Sequence, residues 1–598
     1  MFGIEGALND NMDYEVSVNF GRFTQDRAFP NSVIVDRFFA AIDAVTDPAT
    51  GAPACRSSVD PTAPALNTPF GIPAYDEGYF SFVPGDGQCA PLNIFAGEAG
   101  VSQAAKDFVL IETKNSLELT QLVLSGVVTG DTSAFFELPG GAPGFAAGLE
   151  YRKEESDADF SPWSRGVLPA GSNFTPGTLI SEVSGNGSLV FDPGLADNNE
   201  QGDYTVTELF LELSLPLLAD VPGARELTVD LAARFSDYDS IGQTTTWRST
   251  LIYAPVNDFA VRATYSEAVR APNITELYGP VTSATFRPTD PCDATYIAGV
   301  DAALGANLQA NCATYFQSIG IDPFDADGNY AFLDPLSARF GGLTGGNPNL
   351  NEETAETLTY GFVFQPSFLD GFSLTFDVWD ISIEDAIQSV RADDIVLGCY
   401  QGAELNNQFC DLFERNGDPN SLQAGGFTFM RTGLLNYAKS ETDGYDLAAN
   451  YAFELGEHMF SIRVSGTKVN DNTRYQNPLD LSEKDPELLE IGAPEYAGNI
   501  FLKYQIGSLS LGWQSQFISE MLLGNGPEVE TYETLFGPSV LMDDMWIHDF
   551  NGSYAIQDNV NLSFGVRNVT EEEPFITANA YPVSPRGRMF WMGLNLSL

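Results

Sequence analysis

Every second residue is apolar along stretch after stretch of this chain, and that period constrains its fold more than any other feature. Tyr14, Val16, Val18 and Phe20 fall on one face, and Glu15, Ser17, Asn19 and Gly21 on the other. Leu209, Leu211, Leu213 and Leu215 oppose Glu208, Glu212 and Ser214, while Leu227, Val229, Leu231 and Phe235 oppose Thr228, Asp230 and Arg234. Phe372, Leu374, Phe376 and Val378 oppose Ser373, Thr375 and Asp377, and the chain closes on Phe590, Met592, Leu594, Leu596 and Leu598. Alternation of this kind makes strands with one apolar and one polar face. A soluble sandwich alternates too, but its strands usually stop at about 5–6 residues, whereas crossing a bilayer takes about 9–11. Several runs here reach the longer figure.

The connections separate the two readings further. About sixteen strands can be counted by pattern, a count good to one or two. Short turns fall at 139–144, 219–223, 255–258, 368–371, 455–457, 506–508 and 557–559. Long segments alternate with them at 28–108, 161–202, 271–353, 387–432, 474–494, 521–543 and 571–586, with one short link at 239–242. Short turns on one side and long loops on the other is the plan of a bacterial outer-membrane barrel. The expected fold class is therefore all-β: an antiparallel transmembrane β-barrel with short periplasmic turns and long extracellular loops.

No run approaches the roughly 18–20 apolar residues that a membrane-spanning helix needs. The formal charge of −54 argues against a nucleic-acid partner, which requires clustered Lys and Arg. Such acidity most simply keeps surface loops soluble and apart, and it could also draw cationic ligands. All six cysteines lie in long segments as sequence neighbours: Cys55 with Cys89, Cys292 with Cys312, Cys399 with Cys410. Six cysteines allow fifteen pairings, of which within-loop stapling in an oxidising export route is the simplest. Residues 1–6 carry neither a basic nor an apolar leader segment, so the export signal is expected to lie outside this sequence.

Three stretches, in order along the chain, resemble TonB-dependent receptor barrels. YSEAVRAPNITELY at 265–278 resembles the family's strand end before a large external loop. GNPNLNEETAETLTYG at 346–361 resembles its return into the barrel, and FGVRNVT at 564–570 followed by Pro574 resembles the approach to its last hairpin. Cys55 with CAPLNIF at 89–95 is similar to a subgroup common in Caulobacter- and Xanthomonas-type bacteria. Within the first motif, Pro272 should end the strand by removing a ladder donor, and Asn273 suits the turn that follows. Arg270, Pro272, Asn273, Glu276 and Leu277 are accordingly expected to set barrel geometry rather than hold a ligand.

The resemblance implies an outer-membrane receptor in a Gram-negative cell. It would import a scarce ligand (siderophore, cobalamin or carbohydrate) with energy from the TonB–ExbB–ExbD system, after insertion by the barrel-assembly machinery into outer-membrane lipid. The family's barrel has 22 strands around a plug, so residues 1–598 are expected to be a partial barrel domain, with plug, TonB box, signal peptide and first strands upstream. Leu598 stands where the family typically ends in Phe or Trp. A passive porin-like pore is the alternative function. An enzyme is not expected, since no nucleophile elbow, zinc-protease or phosphate-loop motif is present.

Loop aromatics Tyr75, Tyr79, Phe80, Trp163, Tyr278 and Tyr400 are candidates for stacking on a ligand, against the simpler possibility that they pack the loops together. Asp322, Asp325, Asp327 and Asn329 offer oxygens to Ca²⁺, the one cofactor considered, although their spacing departs from an EF-hand and also suits a plain acidic turn. His458 and His548 are expected to be structural.

Overall fold

The computed structural model describes residues 1–62, 80–172, 174–179, 188–191, 199–300, 302–336, 338–402, 405, 407–475, 484–522, 541–557, 559–574 and 582–596. Its main sheet has 22 strands, five of them short strands within loops. The other seventeen form the wall. They begin with β1 (Phe2–Asn9), β2 (Met12–Ile34), β3 (Leu110–Asp131), β4 (Gly144–Asp159), β5 (Glu200–Val221) and β6 (Ala224–Tyr238). The wall continues through β7 (Gly242–Val256), β8 (Phe259–Arg270), β9 (Glu353–Phe364), β10 (Phe372–Val390), β11 (Phe427–Leu455) and β12 (His458–Tyr475). It ends with β13 (Tyr496–Ile506), β14 (Leu509–Ile518), β15 (Met545–Gln557), β16 (Val560–Arg567) and β17 (Met589–Leu596).

Each wall strand pairs antiparallel with the next. The same holds through to the last strand. Among the described residues no ladder joins β1 to β17. The hairpin partner β1 accounts for the difference from about sixteen expected strands. Phe2, Ile4 and Leu8 do alternate there, but the strand has only eight residues, and two of them are glycines that weaken the pattern.

Register turns the alternation into two continuous surfaces. Leu149, Leu209 and Phe235 are successive partners on β4, β5 and β6, and all three are exposed. The opposite face carries Glu208, which accepts hydrogen bonds from Ser236 (2.7 Å) and Arg234 (3.2 Å). Arg262 lies on that same face and grips Asp377 through two bonds of 2.9 and 2.6 Å. The apolar face is the one that can meet lipid; the charged face lines the interior. Both histidines sit on the apolar side, each hydrogen-bonded at 2.8 Å, His458 to Tyr504 and His548 to Ser515.

Strands of 22–29 residues, such as β2, β5 and β11, exceed what the bilayer needs. Their outer portions stand above it, where Asp203 of β5 pairs with Lys153 of β4 at 3.5 Å. The long loops between wall strands carry helices (Val35–Ile42, Gln103–Val109, Ala302–Ser318 and Ala392–Gln401) and bury cores of their own.

Candidate functional site at the loop cap

Two long loops share one core. Helix Ala302–Ser318 buries Leu308, Cys312 and Phe316, and helix Ala392–Gln401 buries Ile395, Val396, Cys399 and Tyr400. Phe409, Phe413, Phe427 and Met430 join the same cluster. Disulfides Cys292–Cys312 and Cys399–Cys410 staple the two loops, and Cys55–Cys89 staples the first loop, as the spacing of the cysteines predicts. Apolar burial and crosslinking together explain how segments so rich in Asp, Asn and Gly hold a fold above the barrel.

An ion pair lies at the centre of this core. Arg415 and Asp290 are both 0% exposed in their side chains. Arg415 donates to both Asp290 oxygens at 2.7 Å, to the Gly425 carbonyl at 2.9 Å and to the Tyr400 hydroxyl at 2.9 Å, and its guanidinium sits 3.8 Å from the Phe427 ring centre. Burial works against the charge on Arg415, but the Asp290 carboxylate and Tyr400 outweigh it and hold the guanidinium firmly protonated. Burial likewise pushes the Tyr400 phenol above its usual value. With both carboxylate oxygens and four N–H groups of the guanidinium hydrogen-bonded, the pair tolerates its dry surroundings. Arg415 is the only basic residue between 392 and 430, and that isolation is the one mark its buried role leaves in the sequence.

The family-like motif forms a clamp where the larger loop leaves and rejoins the wall. Arg270, the last residue of β8, donates to Glu353 at 2.6 and 2.7 Å and to Glu276 at 2.9 Å. Asn273 caps the short helix Ile274–Tyr278, and Glu276 accepts the Asn273 backbone N–H in return, a capping box. Pro272 lies just beyond the strand end, where a missing donor costs nothing. Leu277 is buried against Ile274, Tyr204, Leu350 and Ile387.

The described candidate aromatics pack in four separate clusters, Tyr400 and Phe80 buried and Trp163 and Tyr278 half-buried. Tyr400 is fully buried, so no ring face is left for a ligand. Phe80 is buried with Phe82 and Phe108. Trp163 packs against Leu168 and Leu189, with the Arg37 guanidinium 5.5 Å from its ring. Tyr278 lies directly over Gly202, whose missing side chain makes room for it. Tyr75 and Tyr79 fall outside the described residues. The acidic turn is closed by its own hydrogen bonds. Asp325 accepts backbone N–H groups of Asp327 and Asn329, both at 2.9 Å, and Asp322 accepts that of Phe324. Their oxygens close local turns, and among the described residues no three metal-ligating groups converge.

What the cap does present is a polar recess of about 620 Å³ lined by Arg287, Thr289, Asp290, Asp293, Thr295 and Asp334, among others. Arg287 pairs with Asp334 at 2.7 Å on its rim.

Residues 98–569 match the family described as TonB dependent receptor-like, beta-barrel. This chain belongs to that family. The receptor barrel is thus an outer-membrane protein, of a family of receptors and not of enzymes. It is similar in structure to the siderophore receptor PirA from Acinetobacter baumannii, at 13% identity and a TM-score of 0.53, over 99% of this chain and 61% of that one. It is also similar to the ferric-catecholate import receptor Fiu from E. coli K12, at 13% identity and a TM-score of 0.46, over 99% and 63%. At such identity the PirA likeness speaks for the fold. The barrel therefore spans less than two thirds of the length of these solved relatives. No curated protein sequence matches it.

Proposed function

We propose that this chain is the barrel of a receptor that captures a scarce small ligand at the cell surface and admits it by TonB-energised uptake. The observation that carries the reading is the cap. Two loops knit around a buried Arg415–Asp290 pair and two disulfides make a pre-formed extracellular surface, which open diffusion of bulk solutes does not need. The polar recess beside Arg287 and Asp334 offers that surface's ligand a set of hydrogen-bonding groups. Siderophore, cobalamin and carbohydrate are the classes to test, and the coupling would run from the inner membrane through TonB to the site.

Uptake of labelled ferric siderophore, cobalamin and oligosaccharide by cells with and without the gene, before and after collapse of the proton gradient, tests this. Gene-dependent uptake of one class that stops with the gradient supports it. Gradient-independent uptake, with steady conductance of the purified protein in planar bilayers, would replace it by a passive pore.

A further inference from the structure

The lipid-facing surface has a gap. Phe376, Leu447, Gly466, Gly498, Phe517 and Trp546 are successive register partners across β10 to β15. Four bulky side chains are thus interrupted at the centre of the row by two adjacent glycines. No side chain covers either one: a Cβ on Gly466 or Gly498 would find only backbone atoms within 4 Å.

The result is a trough of about 410 Å³. One wall is Phe376 stacked on Tyr445, with ring centres 5.9 Å apart. The other is Phe517 against Trp546, 4.9 Å apart. Val464 and Ile500, partners in the register, extend the apolar lining towards the periplasm. At the extracellular end stands Lys468, partner of both Tyr445 and Tyr496, with its ammonium 5.4 Å from the Tyr496 ring centre and 3.6 Å from Glu495.

Glycine inside a strand weakens the sheet and marks a place where something approaches the backbone closely. Here that something is aliphatic, because the walls are aromatic and the face meets lipid. A cation at the outer rim, on a chain of net charge −54, selects an anionic head group.

We propose that the Gly466–Gly498 trough seats one acyl chain of a phosphorylated glycolipid of the outer leaflet, with the lipid's phosphate on Lys468. Glu495 does not prevent this. Its pair with Lys468 is long and partly exposed, and a phosphate brings more charge and more acceptor oxygens than a carboxylate.

The test is native mass spectrometry of the full chain, delipidated in detergent and titrated with bisphosphorylated lipid A. The wild type should retain one lipid. Gly498→Phe, which fills the trough, should lower the bound fraction about tenfold, and Lys468→Gln about fivefold, with Lys468→Arg restoring it. Dephosphorylated lipid A should bind the wild type no better than the phosphorylated form binds Lys468→Gln. Equal retention by the wild type and Lys468→Gln would overturn the proposal, as would equal retention of dephosphorylated lipid or of phosphatidylethanolamine. Lys468→Gln leaves the wall intact, so it decides the matter even where Gly498→Phe fails to assemble.

Discussion

Arg270 and Glu353 are register partners on neighbouring strands, and the Arg270 guanidinium donates to both Glu353 oxygens, at 2.6 and 2.7 Å. Glu353 also accepts the Ile387 backbone N–H at 2.6 Å, so one carboxylate ties the exit, the return and the outer end of β10 together. Glu353→Ala should cost about 1–3 kcal/mol, mostly because the Ile387 N–H loses its partner. Glu353→Gln, which keeps an acceptor oxygen, should cost less. Limited proteolysis within 271–352 on folded protein checks this: cleavage should rise most in Glu353→Ala, while the membrane-embedded wall stays resistant.

Much of this architecture could be read before any coordinates. The wall was legible because lipid and lumen enforce a period of two on every strand, so residues such as Leu209 and Glu208 declare their sides. The disulfides were legible because each pair shares a loop. The clamp was legible as a motif, although its ionic logic was not, because Arg270, Glu276 and Glu353 meet only in three dimensions. The cap interior was the hardest part. Tyr400 and Phe80 look like free loop aromatics until helices form around them, and loop helices carry no signal comparable to strand alternation.

The pairing of Asp290 with Arg415 gives an asymmetric prediction. Asp290→Asn strands a buried guanidinium, and the cap should lose about 3–5 kcal/mol. Replacing both partners with apolar residues, as in the Asp290→Leu/Arg415→Met double variant, should recover much of that loss because no charge is left in the core. Hydrogen exchange of helices Ala302–Ser318 and Ala392–Gln401 reads the difference. Equal destabilisation in the single and double variants would mean that the hydrogen bonds to Tyr400 and Gly425, rather than charge, dominate.

The first loop should respond to pH. Burial raises the pKa of the Asp36 carboxyl, against the opposing hydrogen bonds from Ser81 and the charge of Arg37. The folded loop therefore holds the Asp36 proton more tightly than the unfolded loop does. Its contribution to local stability is full below the unfolded pKa of about 3.9 and declines as pH rises towards the higher folded value. Protection of helix Val35–Ile42, corrected for intrinsic exchange, should fall from pH 4 towards neutrality. Asp36→Asn, which cannot ionise, should flatten that slope.

Gly202 and Tyr278 offer a test of how the cap sits on the barrel. A methyl group at Gly202 would collide with the root of the Tyr278 ring, which cannot swing aside as a flexible chain end could. Tyr278 belongs to the short capped helix beside the clamp, so pushing it off β5 should lift that helix from Tyr204 and Tyr238. Gly202→Ala should cost about 1–3 kcal/mol through overpacking. Tyr278→Ala should remove most of that penalty when combined with it, a coupling that a double-mutant cycle measures directly. If the two substitutions are simply additive, the helix does not rest on Gly202, and the Arg270 clamp alone holds the loop over the barrel mouth.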